Sequence, residues 1–356
     1  MMHGNAAAET EPVAAQAAAA GPAAPAPAEA PPWRALVERY RHSDDRVAWR
    51  QLASTVPPYL ALLAAMFISL RGPSVVTLLL AVPAAGLLAR TFVLFHDCGH
   101  GTLFASPRAN ERAGRVLSLL VWEAFHYWRH IHAVHHATSS HLDRRGTGDY
   151  DTLTVTEYLA LPGARRFVYR VSRHPAFLFG LLPLVKFTLY NRLRPRPAPP
   201  LAWRSVPRTN AALLLLYGGA MALLGWREVL LVLLPVFWLA SLAGLWLFYV
   251  QHQFEHTHWA RQGRWDAYAA AMRGSSFYRL PPLLDWFTAS IGYHHIHHLS
   301  PRIPNYRLAQ CHREQPQLQQ APTLTLRTSL ATLRCHLWDE AQGRMVAFAA
   351  LRRPRG

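Results

Sequence analysis

The chain has 356 residues, of which 51% are hydrophobic and only 16% charged, with 12 Trp, 13 Tyr and 15 Phe. That balance excludes an ordinary soluble domain and points to an integral membrane protein. The formal charge of +17 does not indicate nucleic acid, because nearly all the arginines stand outside the apolar runs, where they suit the positive-inside rule and anionic lipid head groups.

Residues 1–32 are Ala- and Pro-rich and low in complexity, which predicts a disordered tail. No basic segment precedes an apolar core there, so no signal peptide is expected. Trp33–Leu52 reads as an amphipathic, basic helix on the membrane surface, with Ser43 as an N-cap before Asp44 and Asp45. Four apolar runs follow, Val56–Leu70, Ser74–Phe95, Ala211–Trp226 and Val229–Val250. The second and fourth, as helices of about 33 Å, match a hydrocarbon core of about 30 Å. Short connections, Arg71-Gly72-Pro73 and Arg227-Glu228, pair the runs into two hairpins. Arginine placement puts both termini and the long middle segment on the cytoplasmic side.

The expected fold is an all-α integral membrane protein. Four transmembrane helices (about 53–71, 74–95, 210–226 and 229–250) form two hairpins beneath a cytosolic helical cap built from 96–209 and 251–350. Within the cap, Phe177–Tyr190 predicts an interfacial or re-entrant helix. Leu330, Leu333, Leu337 and Trp338 predict one face of a closing helix. Cys98, Cys311 and Cys335 are odd in number and form no CxxC pair, so they read as reduced thiols; Cys98 reads as a packing residue.

Not one of the 20 histidines falls inside an apolar run. His96 and His100 follow the second run, and His252 and His256 follow the fourth, both at the i, i+4 spacing of one helix face. His132, His135 and His136 repeat as His294, His297 and His298, at i, i+3 and i+4. Ten imidazoles are too many for one ion, so two metal ions with four or five nitrogens each are expected at the cytosolic membrane surface. HExxH, the metalloprotease signature, is absent. His126, His130, His141, His258 and His295 lie off these faces and are expected outside the metal shell.

HDCGH at 96–100, HIHAVHH at 130–136 and HHIHH at 294–298 resemble the three histidine boxes of the membrane fatty acid desaturases. Further segments, Arg145-Gly146-Thr147-Gly148-Asp149, Gln251-His252-Gln253-Phe254-Glu255 and Ile291–Tyr306, resemble the bacterial acyl-lipid branch. The resemblance covers roughly residues 40–350. It implies two irons that use O2 to insert a cis double bond into an acyl chain, on a lipid rather than on CoA or a carrier protein. Carried over position by position, the ligands are His96, His100, His132, His135, His136, His294, His297 and His298, with His256 as the ninth. His252 then stands where related acyl-CoA enzymes have an asparagine that holds a water, and its role stays open.

Asp97, Asp149, Asp151 and Glu255 are candidates to orient ligand histidines, although solvated or capping acids are the simpler reading of each. Trp122, Phe125, Phe277 and Tyr278 are candidates for an apolar substrate channel, with core packing as the simpler reading. No His-Pro-Gly-Gly cytochrome b5 signature occurs, so a separate electron donor, ferredoxin by the family resemblance, is expected in a bacterial inner membrane. An acyl hydroxylase or a carotenoid ketolase or hydroxylase on the same scaffold is the enzymatic alternative. A haem electron-transfer protein is the non-enzymatic one, though its axial histidines would normally lie within the spans.

Overall fold

Long apolar runs become long helices in the computed structural model, which describes residues 33–193 and 198–352. The expected tail at 1–32 lies outside the described residues. The surface helix is two pieces, α1 (Trp33–Glu38) and α2 (Asp45–Ala53). Asp44, not Ser43, caps α2, its carboxylate accepting from the Arg46 and Val47 N–H groups. Ser43 is drawn away by tertiary structure, its hydroxyl donating to the Thr102 carbonyl at 2.7 Å.

α3 (Val56–Ser69) and α4 (Ser74–His100) form the first hairpin. α4 is the central post, packed against α3, the amphipathic α5 (Pro107–Val121) and the second hairpin. α6 (Phe125–Thr138) follows after a three-residue turn. Residues 176–193 are helical but widened by π turns at Ala176–Leu181 and Lys186–Tyr190. Pro183 between them lacks the N–H that a regular α turn needs.

The second hairpin is α7 (Pro200–Leu224) and α8 (Trp226–His252). Among the described residues three stretches are long and apolar enough to cross a membrane, Asp45–Ser69, Ser74–His100 and Trp226–His252. α7 is not among them. It starts ten residues before the expected span and carries Arg204 and Arg208 in that added length.

The cap adds α9 (Ala267–Gly274), α10 (Pro282–Phe287), α11 (His294–Leu299) and α12 (Asn305–Glu314). Two small sheets complete it. β1 (Phe277–Arg279) pairs in parallel with β2 (Thr323–Thr325), and β3 (Leu337–Asp339) pairs antiparallel with β4 (Arg344–Val346). The expected closing helix does not form. Leu330 is exposed in a short 3₁₀ turn, while Leu337 and Trp338 are buried in β3, where the Trp338 N–H donates to the Leu153 carbonyl.

The α5–α6 corner fixes how α6 meets α4. Gly114 lets the Phe125 ring lie directly on α5, and a Cβ there would come within 2.1 Å of that ring. Gly114→Ala is therefore expected to lower stability by about 1–3 kcal/mol through overpacking, read as a fall in thermal unfolding temperature in detergent. Phe125→Leu added to it should return part of the loss, and no rescue would show that the corner is not the site of strain.

Candidate metal centre

Four chain segments bring histidines to one place. His96 and His100 ride the last turns of α4, which ends in Gly101 in the left-handed region (φ 73). His132, His135 and His136 share a face of α6, and His294, His297 and His298 share the single turn-and-a-half of α11. α8 supplies only His252, its last helical residue. The chain leaves the helix at Gln253 (φ −110, ψ 79), so the face on which His252 and His256 would have been paired does not exist. His256 is exposed and stands apart.

Among the described residues the histidines form two groups, each with ligand atoms within 4.8 Å of one another. The first is His96, His100, His132, His136 and His297; the second is His135, His252, His294 and His298. Eight of the nine expected positions are brought together, and His252 takes the place given to His256. His295 lies outside both, its Nε2 at 2.9 Å from the Leu318 carbonyl. His126 bonds Arg115, and His141 bonds Gln262. His130 and His258 are in neither group.

The rings are aimed from behind. Nδ1 of His135 is hydrogen-bonded to Asp149 Oδ1, Nδ1 of His96 lies 3.1 Å from Asp97 Oδ1, and Nδ1 of His252 lies 3.3 Å from the Gly274 carbonyl. An acceptor at Nδ1 places the proton there and leaves Nε2 as an inward-facing lone pair. Asp97 is itself fixed, accepting the Asn305 N–H at 2.7 Å. Gly148 makes the Asp149 contact attainable: its φ is 75, and a Cβ would come within 2.9 Å of the His135 Cβ. Asp151 and Glu255 are exposed, and Glu255 pairs with Arg344 instead.

In the second group, Nε2 of His294 lies 3.0 Å from that of His252 and 3.1 Å from that of His298, which in turn is 3.3 Å from that of His135. Two ring protons could satisfy two of these three contacts, but would then set two N–H groups against each other across the third. A cation among the four nitrogens satisfies all of them. The first group repeats this, with Nε2 of His136 at 3.0 Å from those of both His132 and His297. Metal–imidazole bonds of about 2.1 Å place neighbouring octahedral ligands about 3.0 Å apart, so the spacing fits. Nε2 of His100 is buried with no hydrogen-bond partner, as a metal ligand would be. Burial, and then the neighbouring imidazoles, hold His132, His136, His294, His297 and His298 well below the ordinary histidine pKa, in the neutral form a metal requires.

The four aromatics considered for a channel are packing residues. Trp122 lies between Tyr217 and Phe237, Phe125 on Phe95, Phe277 on Tyr293, and the Tyr278 hydroxyl bonds Ser329. Two others were missed. Trp128 stacks on His132 at 4.5 Å, and Phe248 touches both His135 and His252 at 5.2 Å. Each stands four residues before a grouped histidine on its own helix, a spacing that could have identified both. A small hollow lined by Asp149, Tyr150, Phe248, His252 and Gln253 abuts the second group. Another, lined by Trp33, Trp265, His136 and His298, touches one histidine of each group.

A family model described as "Fatty acid desaturase" matches residues 72–327. The chain is 42% identical over 302 residues to a "Fatty acid desaturase" of Bacillus subtilis (strain 168), covering 85% of this chain and 86% of that protein. It is 26% identical over 275 residues to the "sn-1 oleoyl-lipid 12-desaturase" of a Synechocystis species, covering 72% and 74%. It is likewise 26% identical over 234 residues to the "sn-2 acyl-lipid omega-3 desaturase (ferredoxin), chloroplastic" of Arabidopsis thaliana, covering 62% of this chain and 50% of that one.

Asp149→Asn is expected to weaken divalent-metal binding by about 10- to 100-fold, measured by competition with a chelator, whereas Glu255→Gln should leave it unchanged. Equal losses would mean that the carboxylate behind His135 has no special part. The metal-free protein should also lose stability on acidification. Its buried histidines stay neutral when folded but take up protons near pH 6.5 once unfolded, so stability falls as pH drops below that value. Unfolding temperatures of stripped protein at about pH 7.5 and about pH 5.5 test the sign, and a flat profile would contradict it.

Proposed function

Because the chain belongs to the fatty acid desaturase family and is an O2-dependent oxidoreductase, we propose that it is a di-iron enzyme that inserts a cis double bond into a lipid-linked acyl chain. One observation carries the metal reading: nine imidazoles from four segments converge as a group of five and a group of four. In this reading His96, His100, His132, His136 and His297 hold one iron and His135, His252, His294 and His298 the other. Two irons bound there would supply the activation of dioxygen and the removal of two hydrogens from adjacent methylenes. All-imidazole donation leaves more positive charge on each metal than carboxylates would, which favours attack on an unactivated C–H bond.

The residues of the chain supply the rest. Asp149 and Asp97 hold His135 and His96 in the tautomer that presents Nε2 inward. Trp128 and Phe248 close the flanks of the two groups with apolar surface and exclude water from the reacting centre. Lipid linkage of the substrate is supported by the acyl-lipid relatives named above, and a ferredoxin-type donor by the Arabidopsis one. α7 is proposed as a fourth span, with the exposed Leu214, Leu215 and Leu223 facing lipid. Residues 176–193 are proposed to lie at the membrane interface. The N- and C-terminal segments and the metal centre face the cytoplasm of a bacterial inner membrane.

Expression in a host of simple fatty-acid profile, followed by analysis of its acyl chains, should reveal a new double bond. A new hydroxyl or keto group instead would move the assignment to another enzyme on this scaffold. His252→Ala is expected to lose one of two irons per chain and to reduce desaturation by at least about 100-fold, while His256→Ala keeps both irons. The reverse pattern would restore His256 as the ninth ligand.

A further inference from the structure

Three grouped histidines have an apolar neighbour on their membrane side. Val93 precedes His96 by one turn of α4, Leu247 precedes His252 on α8, and Ile291 precedes His294. Together with Ala289 these side chains pack into one apolar knot between α4 and α8, in which Leu247 is partly buried. The two hollows that touch the groups are lined mainly by cap residues such as Trp259 and Trp265, with Phe248 and His252 at the end of α8 bordering the first. The knot therefore stands between the bilayer and the metal centre.

Residues 281–291 deliver it by dipping back along α4. The Phe287 ring lies on Gly86, where an added Cβ would meet it at 2.7 Å. Arg90, buried within the membrane helix, donates to the Trp286 carbonyl and to the Thr55 hydroxyl and lies 4.3 Å from the Trp286 ring centroid. Gly86 and Arg90 precede His96 by ten and six residues, about 15 and 9 Å towards the bilayer. At that depth the outward-facing Leu283 (67% exposed) and Trp286 (41%) have lipid as their neighbour. A cation buried inside a span is costly unless it holds a partner, and here the partner is this segment.

The backbone just beyond α10 is strained. Ala289 and Ser290 are consecutive non-glycine residues in the left-handed region, with φ of 46 and 58. The Ser290 hydroxyl and N–H hold the turn by donating to the Asp285 carboxylate at 2.9 Å and the Asp285 carbonyl at 3.0 Å. An apolar plug, a strained hinge and a buried latch thus lie together one to three turns before the histidines along α4.

We propose that the acyl chain reaches the metal centre from the bilayer between α4 and α8, displacing Ala289 and Ile291, and that residues 281–291 are the gate, latched by Arg90. The inference rests on the desaturase reading for its choice of ligand. Opening releases the hinge strain, which offsets the lost contacts of the knot. The displaced side chains leave apolar space of the chemistry that mid-chain methylenes require.

The test uses iron-loaded full-length protein in phosphatidylglycerol vesicles doped with a phospholipid that carries a mid-chain diazirine. Photolysis should place adducts on Val93, Leu247, Ala289 or Ile291, and excess unlabelled phospholipid should suppress them. Ala289→Gly with Ser290→Gly relieves the strain of the closed form and should cut the adduct yield at Val93 and Leu247 by about five-fold. Ser290→Ala frees the hinge from Asp285 and should raise that yield by about three-fold or more. Bound iron should stay constant in both. Adducts confined to Leu283 and Trp286, or yields unmoved by both variants at constant iron, would overturn the gate. Adducts in the knot with no modified acyl chain in any lipid would support the gate while sinking the desaturase reading.

Discussion

Everything in this molecule is arranged around a repulsion. Nine imidazole nitrogens crowd into two groups, at contacts of 3.0 to 3.3 Å in which protons cannot satisfy every pair. Such a constellation holds only if rigid elements impose it and a cation belongs at its centre. The rigidity comes from α4, whose last turns carry His96 and His100 and whose sides meet α3, α5 and α8. Aromatic packing of Trp128 on His132 and of Phe95 on Trp128 ties α6 to that post. Each histidine is thereby placed by a helix end, and its ring orientation by what lies behind it.

The electrostatics follow from the same constraint. The chain has a formal charge of +17, yet the side chains hydrogen-bonded behind His96 and His135 are acids. The acids that do approach, Asp97 and Asp149, touch Nδ1 rather than Nε2. They fix the tautomer and add negative charge one ring away, where they do not occupy a ligand position. Asp149 retains one buried carboxylate oxygen without a hydrogen-bond partner. An acceptor left uncompensated in this way gains most when the ring it holds carries positive charge, as it does on metal binding.

Much of this was legible in the sequence, because the information was periodic. Spacings of three and four place histidines on one face of any helix, and apolar runs announced the helices of both hairpins. What escaped was set by tertiary contact. Nothing local stops α8 at His252: no Gly or Pro follows it. The helix ends because Gln251 and Gln253 are captured from the side, the Gln251 carbonyl by the Ser276 N–H and the buried Gln253 amide by the Thr152 hydroxyl. The i, i+4 rule applied to His252 and His256 therefore failed through a boundary that periodicity does not encode. The C-terminal leucines misled for a related reason. Leu337 and Trp338 fit a helix face, but the N–H groups of His336 and Trp338 find carbonyls on Val346 and Leu153, and the segment becomes a strand. In the same way Ser43 had the chemistry of an N-cap, yet the Thr102 carbonyl competed for its hydroxyl and Asp44 took the role.

The inequality of the two groups bears on direction. Five nitrogens nearly complete the surroundings of one ion, whereas four leave an ion that accepts six ligands with open positions. The open side of the four-histidine group is bounded by Phe248, which touches both His135 and His252, and by the hollow that Asp149 and Tyr150 line. That hollow has room for about one water, and the Phe248 ring borders it with an apolar surface. A centre built from one nearly saturated and one unsaturated metal site would thus offer its free positions at a boundary between polar and apolar surroundings. Desaturation of an acyl chain reduces O2 to water while the chain itself stays apolar, and such a boundary suits both. His252 lines that hollow and His256 does not, so the early end of α8 also decides which histidine borders it.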